Sequence, residues 1–309
     1  MKSGVSVVVP VYNSERSLPE LIERLEKVLG PGTFEAVLVN DGSRDGSWEV
    51  VRRLAGERRW VRGINLMRNY GQHNALLCGI RAARYDTIVT MDDDLQNPPE
   101  EVPALLKQLE KDYDVVYGTP QKQRHGLWRG LASWFTKLAL QKMMGAQTAR
   151  SVGPFRAFRT RLRSAFQDYR GSYVSIDVLL TWATSRFGSI SVRHDPRKFG
   201  VTNYTFGKLA SHALDMTTGS TMLPLQIATL LGFAFAFFGL LVLVYVVGRY
   251  FIQGGGVPGF PFLASTIAIF SGVQLFALGI IGEYILRIHV RMMDRPCYAV
   301  RDTLDAEGA

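Results

Sequence analysis

The sequence predicts an α/β protein: a Rossmann-like domain with a mostly parallel sheet, followed by interfacial segments and two apolar helices. Three observations predict this fold class. Short β-branched runs alternate with helical patterns over the first 120 residues, polar loops follow the runs, and two long stretches near the C-terminus carry no charge. Such alternation is typical of βαβ units. With 309 residues and a net charge of +9, the chain can hold one such domain and an appendage.

The N-terminal part contains five predicted strands with four predicted helices between them. The strands are Val5–Val9, Ala36–Val39, Gly63–Leu66, Thr87–Thr90 and Val115–Tyr117. The helices are Ser17–Leu29, Ser47–Ala55, Gln72–Arg84 and Glu100–Glu110. Ligands of open parallel sheets bind beyond the carboxyl ends of the strands. The loops that follow these strands are therefore the expected positions of a site.

Two segments after this domain are expected to lie at a membrane surface. In residues 126–145, aromatic and aliphatic side chains recur at helical spacing with basic residues among them, which favours an interfacial helix. An ordinary amphipathic helix packed on the domain is the alternative. Residues 204–222 are predicted to form a juxtamembrane helix that leads into the first apolar stretch.

Two uncharged stretches predict two transmembrane helices. No charged residue stands between Asp215 and Arg249, and none between Arg249 and Glu283. Residues 223–247 and 260–281 are each long enough, as mostly apolar helices, to cross a bilayer. Buried core helices are the alternative, but core helices are seldom apolar on every face over such a length.

The distribution of arginine predicts the orientation of the chain. The loop between the apolar stretches holds one arginine, whereas the C-terminal flank holds Arg287, Arg291, Arg295 and Arg301. By the positive-inside rule, the domain of residues 1–203 and the tail of residues 287–309 are expected on the cytoplasmic side of the plasma (inner) membrane. No nucleic-acid motif accompanies the basic charge, so anionic lipid or substrate phosphate is the expected partner, and nucleic acid is not.

Three adjacent carboxylates, Asp92, Asp93 and Asp94, follow the fourth predicted strand. They repel one another, and Mg²⁺ or Mn²⁺ would neutralise them, because hard cations prefer oxygen ligands. Alternate residues of an extended segment face the same way, so Asp92 and Asp94 are expected on one side. A solvated turn is the alternative for such a triplet alone. Its place at a strand end in this alternating fold favours a metal site that stabilises a leaving diphosphate.

Five motifs carry a resemblance to a known family. They are VPVYN at Val9–Asn13, NDGS at Asn40–Ser43, RNYGQH at Arg68–His73, DDDLQNPPE at Asp92–Glu100 and R-x-x-G-x-T-x-Y from Arg197 to Tyr204. On these motifs the chain resembles the inverting GT-A glycosyltransferases that use polyisoprenyl-phosphate acceptors, over nearly its whole length. Within that family the motifs are most similar to those of the undecaprenyl-phosphate 4-deoxy-4-formamido-L-arabinose transferases.

The resemblance implies a fold, an activity and a set of partners. The first domain would be a GT-A nucleotide-sugar domain that moves a sugar from a nucleoside diphosphate, with UDP favoured by the nearest group, to undecaprenyl phosphate. It also implies Mg²⁺ or Mn²⁺ as cofactor, attachment to the membrane, and a homo-oligomer, which is a tetramer among relatives.

The resemblance also assigns roles to individual positions. Nucleotide-sugar binding falls on Pro10, Tyr12, Asn13, Asp41, Arg68, Asp92 and Asp93. Metal ligation falls on Asp92, Asp94 and Gln96, catalysis on Asp94 and Arg197, and lipid-phosphate binding on Arg197, Asn203 and Tyr204. For Arg68 a surface ion pair, and for His73 a place at a helix start, are equally open interpretations.

Three positions depart from the family's pattern. Relatives usually have glutamate where this chain has Ser14, a role that Glu15 could fill, and they often have lysine in place of Asn203. Many also carry an aspartate in the segment that corresponds to Ser151–Arg156, which contains no acid here. A general base is not required, because a phosphate monoester with a second pKa near 6 is already largely an anionic nucleophile at neutral pH.

Two other functions remain open from the sequence. A processive polysaccharide synthase would share the fold but carry a Gln-x-x-Arg-Trp motif, whereas Trp182 stands in Thr181-Trp182-Ala183. A non-catalytic subunit that binds a lipid-linked sugar is compatible with the altered positions. An intact acidic triplet followed by Gln96 argues for the enzyme.

Overall fold

A computed structural model describes residues 2–30, 34–120, 152–171, 174–196, 223–253 and 259–305. The chain divides into two compact units. One contains the described residues up to 196 together with those from Asp294 onward, and the other contains two long apolar helices. The predicted interfacial segment 126–145 and juxtamembrane segment 204–222 lie outside the described residues.

The first unit is built on an eight-stranded sheet. Its strands are β1 (Lys2–Val11), β2 (Phe34–Asn40), β3 (Val61–Leu66), β4 (Tyr85–Thr90), β5 (Val115–Pro120), β6 (Arg156–Arg159), β7 (Phe187–Val192) and β8 (Val300–Leu304). They lie in the order β7-β5-β6-β4-β1-β2-β3-β8. β4, β1, β2 and β3 are parallel neighbours, as are β5 and β7, while β6 and β8 run antiparallel to their partners. The predicted mostly parallel sheet is therefore confirmed.

Helices cover both faces of this sheet. They are α1 (Leu18–Leu29), α2 (Ser47–Glu57), α3 (Gln72–Ala82), α4 (Val102–Leu109) and α5 (Ile176–Ala183), with 3₁₀ turns at Pro99–Glu101 and Thr160–Ala165. α1, α2 and α4 share one buried apolar cluster, and α3 and α5 share the other. Because strand side chains alternate, Val7 and Val9 of β1 enter the first cluster and Val8 enters the second.

Two local features explain the position of α3. A Cβ at Gly79 would lie 2.4 Å from Val8 Cγ1, so the missing side chain allows the helix to pack closely on β1. α3 ends two residues before the predicted Arg84. Ala83 is extended, and Arg163 donates to the carbonyl oxygens of Ile80, Arg81 and Ala83 at 3.1, 2.9 and 2.9 Å, which satisfies the helix end.

The C-terminal strand β8 pairs antiparallel with β3 at the edge of the sheet. The sequence pattern predicts a tail that begins at residue 287, and it predicts no strand there. The segment Val300–Leu304 reads VRDTL, and its residues are mostly exposed. A short polar edge strand of this kind has no apolar alternation to mark it.

The second unit consists of α6 (Leu223–Gln253) and α7 (Phe260–Met292). Large apolar side chains on both helices are exposed, among them Leu230, Phe233 and Leu275. Ile269–Leu286 in α7, with a mean hydropathy of 1.7, is long and apolar enough to span a membrane, whereas Ala228–Val242 in α6 is a shorter apolar stretch. Helices thus cover both predicted spans, while two membrane crossings remain a prediction.

Candidate functional site

Four loops meet at the carboxyl edge of the central parallel strands. They follow β1 at Tyr12, β2 at Asp41, β3 at Met67 and β4 at Met91. This is the edge at which open α/β sheets bind their ligands. Every predicted nucleotide- or metal-binding residue before position 100 lies on one of these loops or, for Pro10, within β1 itself. The predicted acceptor residues Arg197, Asn203 and Tyr204 lie outside the described residues.

Asp41 joins the loops after β1, β2 and β3. Its own N–H donates to Val11 O at 2.9 Å, and its two carboxylate oxygens accept the N–H groups of Tyr70 and Gly71 at 2.7 and 2.8 Å. Burial raises the pKa of Asp41, and the two amide donors oppose that rise. The Asp41 carboxylate, which the sequence motifs assign to nucleotide binding, thus also connects the loop after β2 to the loop after β3.

Gly42 permits the close approach of two of these loops. Its φ is +63°, in the left-handed region that favours glycine, and a Cβ there would lie 2.5 Å from Asn69 N and 2.6 Å from Arg68 C. Because both of these atoms belong to the backbone, no side-chain movement could relieve the clash. The glycine of the NDGS motif therefore sets the width of the gap between the β2 and β3 loops.

A cleft of about 480 Å³ opens between the loops after β1, β2 and β3. Aromatic and amide side chains and three arginines contribute to its lining, which includes Tyr12, Asn40, Ser43, Trp48, Asn65, Arg44, Arg68 and Arg301. The Arg68 guanidinium lies 4.8 Å from the centre of the Tyr70 ring. Of the two interpretations left open for Arg68, a place in the site is the one that the cleft supports.

The acidic loop after β4 lies beside this cleft and is hydrogen-bonded to it. Asp93 Oδ2 accepts the Tyr12 N–H at 3.2 Å and the Ser14 hydroxyl at 2.5 Å. Burial raises the pKa of Asp93 to about 6, the charge of Asp94 adds to that rise, and the two donors oppose it. Ser14, which replaces the family's usual glutamate, thus connects the β1 loop to the acidic loop.

The other two carboxylates of the acidic loop have different partners. Asp92 Oδ1 accepts the Gln72 side-chain amide at 2.6 Å, and Asp94 Oδ1 accepts the Gln96 N–H at 3.1 Å. Leu95, which lies between Asp94 and Gln96, has a φ of 61° and is buried. A left-handed conformation is uncommon for leucine, so burial of its side chain must hold this turn.

The donor chemistry of the acidic loop fits a divalent cation. The candidate ligands are Asp92, Asp94 and the amide oxygen of Gln96, all hard oxygen donors of the kind that Mg²⁺ and Mn²⁺ prefer. Two carboxylates and one amide provide fewer acidic ligands than a typical metal site that is built from protein groups alone. In the described part of the chain, no three His, Cys, Asp or Glu side chains are grouped to hold a metal.

The sequence motifs did not identify the residues that support the end of β4, from which the acidic loop departs. Arg156 of β6 is fully buried, donates to Thr90 Oγ1 at 3.0 Å, and forms an ion pair with Asp177 of α5. The Tyr117 hydroxyl also donates to Asp177 Oδ1, at 2.9 Å. Thr90 is the last residue of β4, so this network fixes the strand end from which the acidic loop departs. No local pattern links residues that lie so far apart in sequence.

Two other positions have structural partners at the edge of the site. Glu15 Oε2 accepts the Gly46 N–H at 3.0 Å, at the start of α2, so its carboxylate is directed to that helix. His73 Nδ1 accepts the Ile176 N–H at 3.4 Å, and His73 lies in the first turn of α3. For His73 this supports the helix-start interpretation.

Comparison with known proteins identifies similar sequences and folds. Residues 6–170 match the family described as "Glycosyl transferase family 2". The chain is 36% identical over 310 residues to an undecaprenyl-phosphate 4-deoxy-4-formamido-L-arabinose transferase of Pectobacterium atrosepticum, with 98% of this chain and 94% of that protein covered. It is 38% identical over 313 residues to the protein of the same name in Shewanella sediminis, with 98% and 93% covered.

A solved structure supports the fold. Glucosyl-3-phosphoglycerate synthase from Mycobacterium tuberculosis, in complex with Mn²⁺, uridine diphosphate and glucosyl-3-phosphoglycerate, is similar with a TM-score of 0.54. The two sequences are 16% identical, and the match covers 70% of this chain and 78% of that one. The likeness extends to the α/β architecture.

Proposed function

Because this chain belongs to glycosyl transferase family 2, we propose that it transfers a sugar from a UDP-sugar to undecaprenyl phosphate at the cytoplasmic face of the inner membrane. Membership of the family makes the protein a glycosyltransferase, and the near-full-length similarity to undecaprenyl-phosphate transferases supports the lipid-phosphate acceptor. The product would be a lipid-linked sugar with inverted anomeric configuration. Uridine as the nucleoside, the metal and the inversion are parts of this proposal.

The observation that carries the proposal is the hydrogen-bonded junction between the cleft and the acidic loop. Tyr12 lines the cleft, and its N–H donates to Asp93. A nucleoside in the cleft would therefore direct its diphosphate toward Asp92 and Asp94. This arrangement supports a base site beside a cation site, which a nucleoside-diphosphate sugar would require.

The protein's own groups would do little proton chemistry. Asp92, Asp94 and Gln96 would hold Mg²⁺ or Mn²⁺, which when bound neutralises the charge of the diphosphate as it leaves. The acceptor phosphate, with a second pKa near 6, is largely ionised at neutral pH and attacks the anomeric carbon without prior deprotonation. The residues mainly align the two substrates and stabilise the leaving group. Arg197, with Asn203 and Tyr204, is proposed to bind the acceptor phosphate.

The activity can be tested by supplying purified protein with undecaprenyl phosphate and a panel of nucleotide sugars, and identifying the lipid product by mass. UDP-4-deoxy-4-formamido-L-arabinose is the first donor to test, because the similar proteins are named for that sugar. We expect a glycolipid whose mass corresponds to one added sugar. Absence of any product across UDP-, GDP- and dTDP-sugars, with or without Mn²⁺, would contradict the proposal.

The same assay tests Arg197. A charged hydrogen bond to phosphate contributes about 1.5–3 kcal/mol, so Arg197→Ala is expected to reduce transfer roughly tenfold to a hundredfold. The loss should appear in the dependence on lipid phosphate, with donor affinity little changed. Arg197→Lys should restore part of it, since an ammonium cannot reproduce the planar fork of the guanidinium. Unchanged lipid dependence in Arg197→Ala would remove this residue from the acceptor site.

We further propose that α6 and α7 both cross the membrane, so that residues 1–203 and the C-terminus share the cytoplasmic side. The exposed apolar surface of the two helices supports the crossings, and the arginines in the last turns of α7 and beyond it support this orientation. A cysteine introduced at Gly255 should react with an impermeant thiol reagent in intact cells, whereas a cysteine at Arg295 should react only after permeabilisation. The opposite pattern would refute the orientation.

A further inference from the structure

The last described strand of the chain reaches the rim of the cleft. Arg301 of β8 lines the cleft together with residues that all come from positions 12–69. It is therefore brought to the site from the far end of the sequence, after both apolar helices. No role in the site was assigned to Arg301 by the motifs, which end at Tyr204.

The pairing of β3 with β8 is irregular at Arg301, and this irregularity determines the position of the Arg301 side chain. Asn65 pairs with Asp302, and the next residue of β3, Leu66, pairs with Val300, so Arg301 has no residue opposite it. This is the arrangement of a β-bulge, which inserts one residue into one strand and changes the direction of its side chain. The Arg301 guanidinium donates to Met67 O at 3.2 Å, and the Met67 N–H donates to Ala299 O at 2.9 Å. Both sides of the bulge are thus bonded to the loop after β3.

A series of side-chain hydrogen bonds connects the bulged strand β8 to the cleft residues at the ends of β3 and β2. Asn65 Nδ2 donates to Asp302 Oδ2 at 3.1 Å, and Asn40 Nδ2 donates to Asn65 Oδ1 at 2.8 Å. Asn40 and Asn65 are buried and line the cleft. Because the Asp302 carboxylate only accepts hydrogen bonds, it fixes the orientation of both amides. Asn40 Oδ1 is left as a buried acceptor that has no partner in the described structure.

The position of Arg301 separates it from the acidic loop. In the order β4-β1-β2-β3-β8, four strand spacings lie between the strand that leads to Asp92 and the strand that carries Arg301. At about 4.8 Å each, the two strands are about 19 Å apart. A diphosphate held at the acidic loop would lie beside the cleft, and the nucleoside would extend through the cleft toward β3 and β8.

We propose that Arg301 is a nucleoside-binding residue that contacts the base of the donor, a proposal that rests on the function above. A guanidinium has donors but no acceptor, so it suits a base with carbonyl oxygens, such as a pyrimidine dione, or the face of an aromatic ring. Arg301 and the bulge form the outer wall of the base site. The strand that follows the apolar helices is in this way part of the donor site.

The test is calorimetric titration of the full-length protein with UMP and with UDP, each with and without Mn²⁺. Arg301→Ala is expected to weaken binding of both nucleotides by the same factor, roughly five- to tenfold, whether or not metal is present. Arg301→Gln removes the charge but keeps a shorter side chain with an N–H donor, and the bond from the Met67 N–H to Ala299 O, which also holds the bulge, stays in place. It should show a similar loss. Arg295→Ala, an exposed arginine of the same segment outside the cleft, is the matched control and should bind as wild type does.

Three results would overturn the inference. Equal affinities in wild type and both Arg301 variants would show that the residue does not contact the nucleotide. Weakening of UDP binding alone, and only with Mn²⁺, would place Arg301 at the diphosphate. Failure of the wild-type protein to bind either nucleotide would instead refute the proposed donor, and the inference with it.

Discussion

Replacing Asp94 by asparagine is expected to reduce the rate of sugar transfer by about 10²–10³-fold, the usual cost of removing one group that stabilises developing charge. The substitution isolates the charge, because asparagine Oδ1 can still accept the Gln96 N–H that Asp94 accepts at 3.1 Å. The turn around Leu95 should therefore persist. What is lost is one negative ligand of the proposed cation site.

The measurement is the initial rate of transfer over a range of Mg²⁺ and Mn²⁺ concentrations. Asp94→Asn should need more metal for its residual rate, while its metal-free binding of UMP stays unchanged, because the cleft proposed to bind the base is not lined by Asp94. Asp168→Asn, a change of the same kind at an exposed position, should behave as wild type does. Full activity of Asp94→Asn, or of the wild-type protein in excess EDTA, would refute the metal site.

Replacing Arg156 by alanine is expected to lower the free energy of unfolding by about 3–5 kcal/mol, the cost of leaving a buried charge without its partner. Arg156 is 1% exposed and Asp177 is 5% exposed, so neither charge can be solvated by water after the partner is removed. The change also removes the donor to Thr90 Oγ1 at the end of β4. Activity should fall with stability, since the acidic loop departs from that strand end.

Thermal unfolding of the full chain in detergent would measure the loss, expected as roughly 10 °C in Tm. The double variant Arg156→Met with Asp177→Leu should be more stable than Arg156→Ala, because two apolar side chains leave no unpaired charge. Arg52→Ala removes an arginine that is 55% exposed and pairs with Glu49 on the surface, where such pairs contribute about 0–1 kcal/mol. An Arg156→Ala variant as stable as Arg52→Ala would show that the buried pair does not support the sheet.

Much of the fold could be predicted because its signals are local. β2 and β3 are buried along their whole length, and each appears in the sequence as a short β-branched or apolar run. α1 carries Leu18, Leu21, Ile22 and Leu25 at helical spacing, and all four are buried. Periodicity of this kind follows from the geometry of one element, so it is visible without knowledge of the partners. The acidic triplet was visible for the same reason, as adjacent residues after a strand.

The amino-acid sequence by itself determined the central parallel strands, the helices between them, the polar loops at their carboxyl ends and the two apolar stretches. Only the tertiary structure decided which of these loops touch, that Asp41 and Asp93 hold them together, and that Arg156 and Arg301 belong near the site. Arg301 and Met67 are 234 positions apart, and Arg156 and Asp177 come from different elements. The antiparallel strands β6, which lies between β5 and β4, and β8, which lies at the edge, are short, and their formation depends on the neighbours that supply the hydrogen bonds. A contact that forms only when two distant segments pair in the fold cannot be predicted from the sequence of either segment alone.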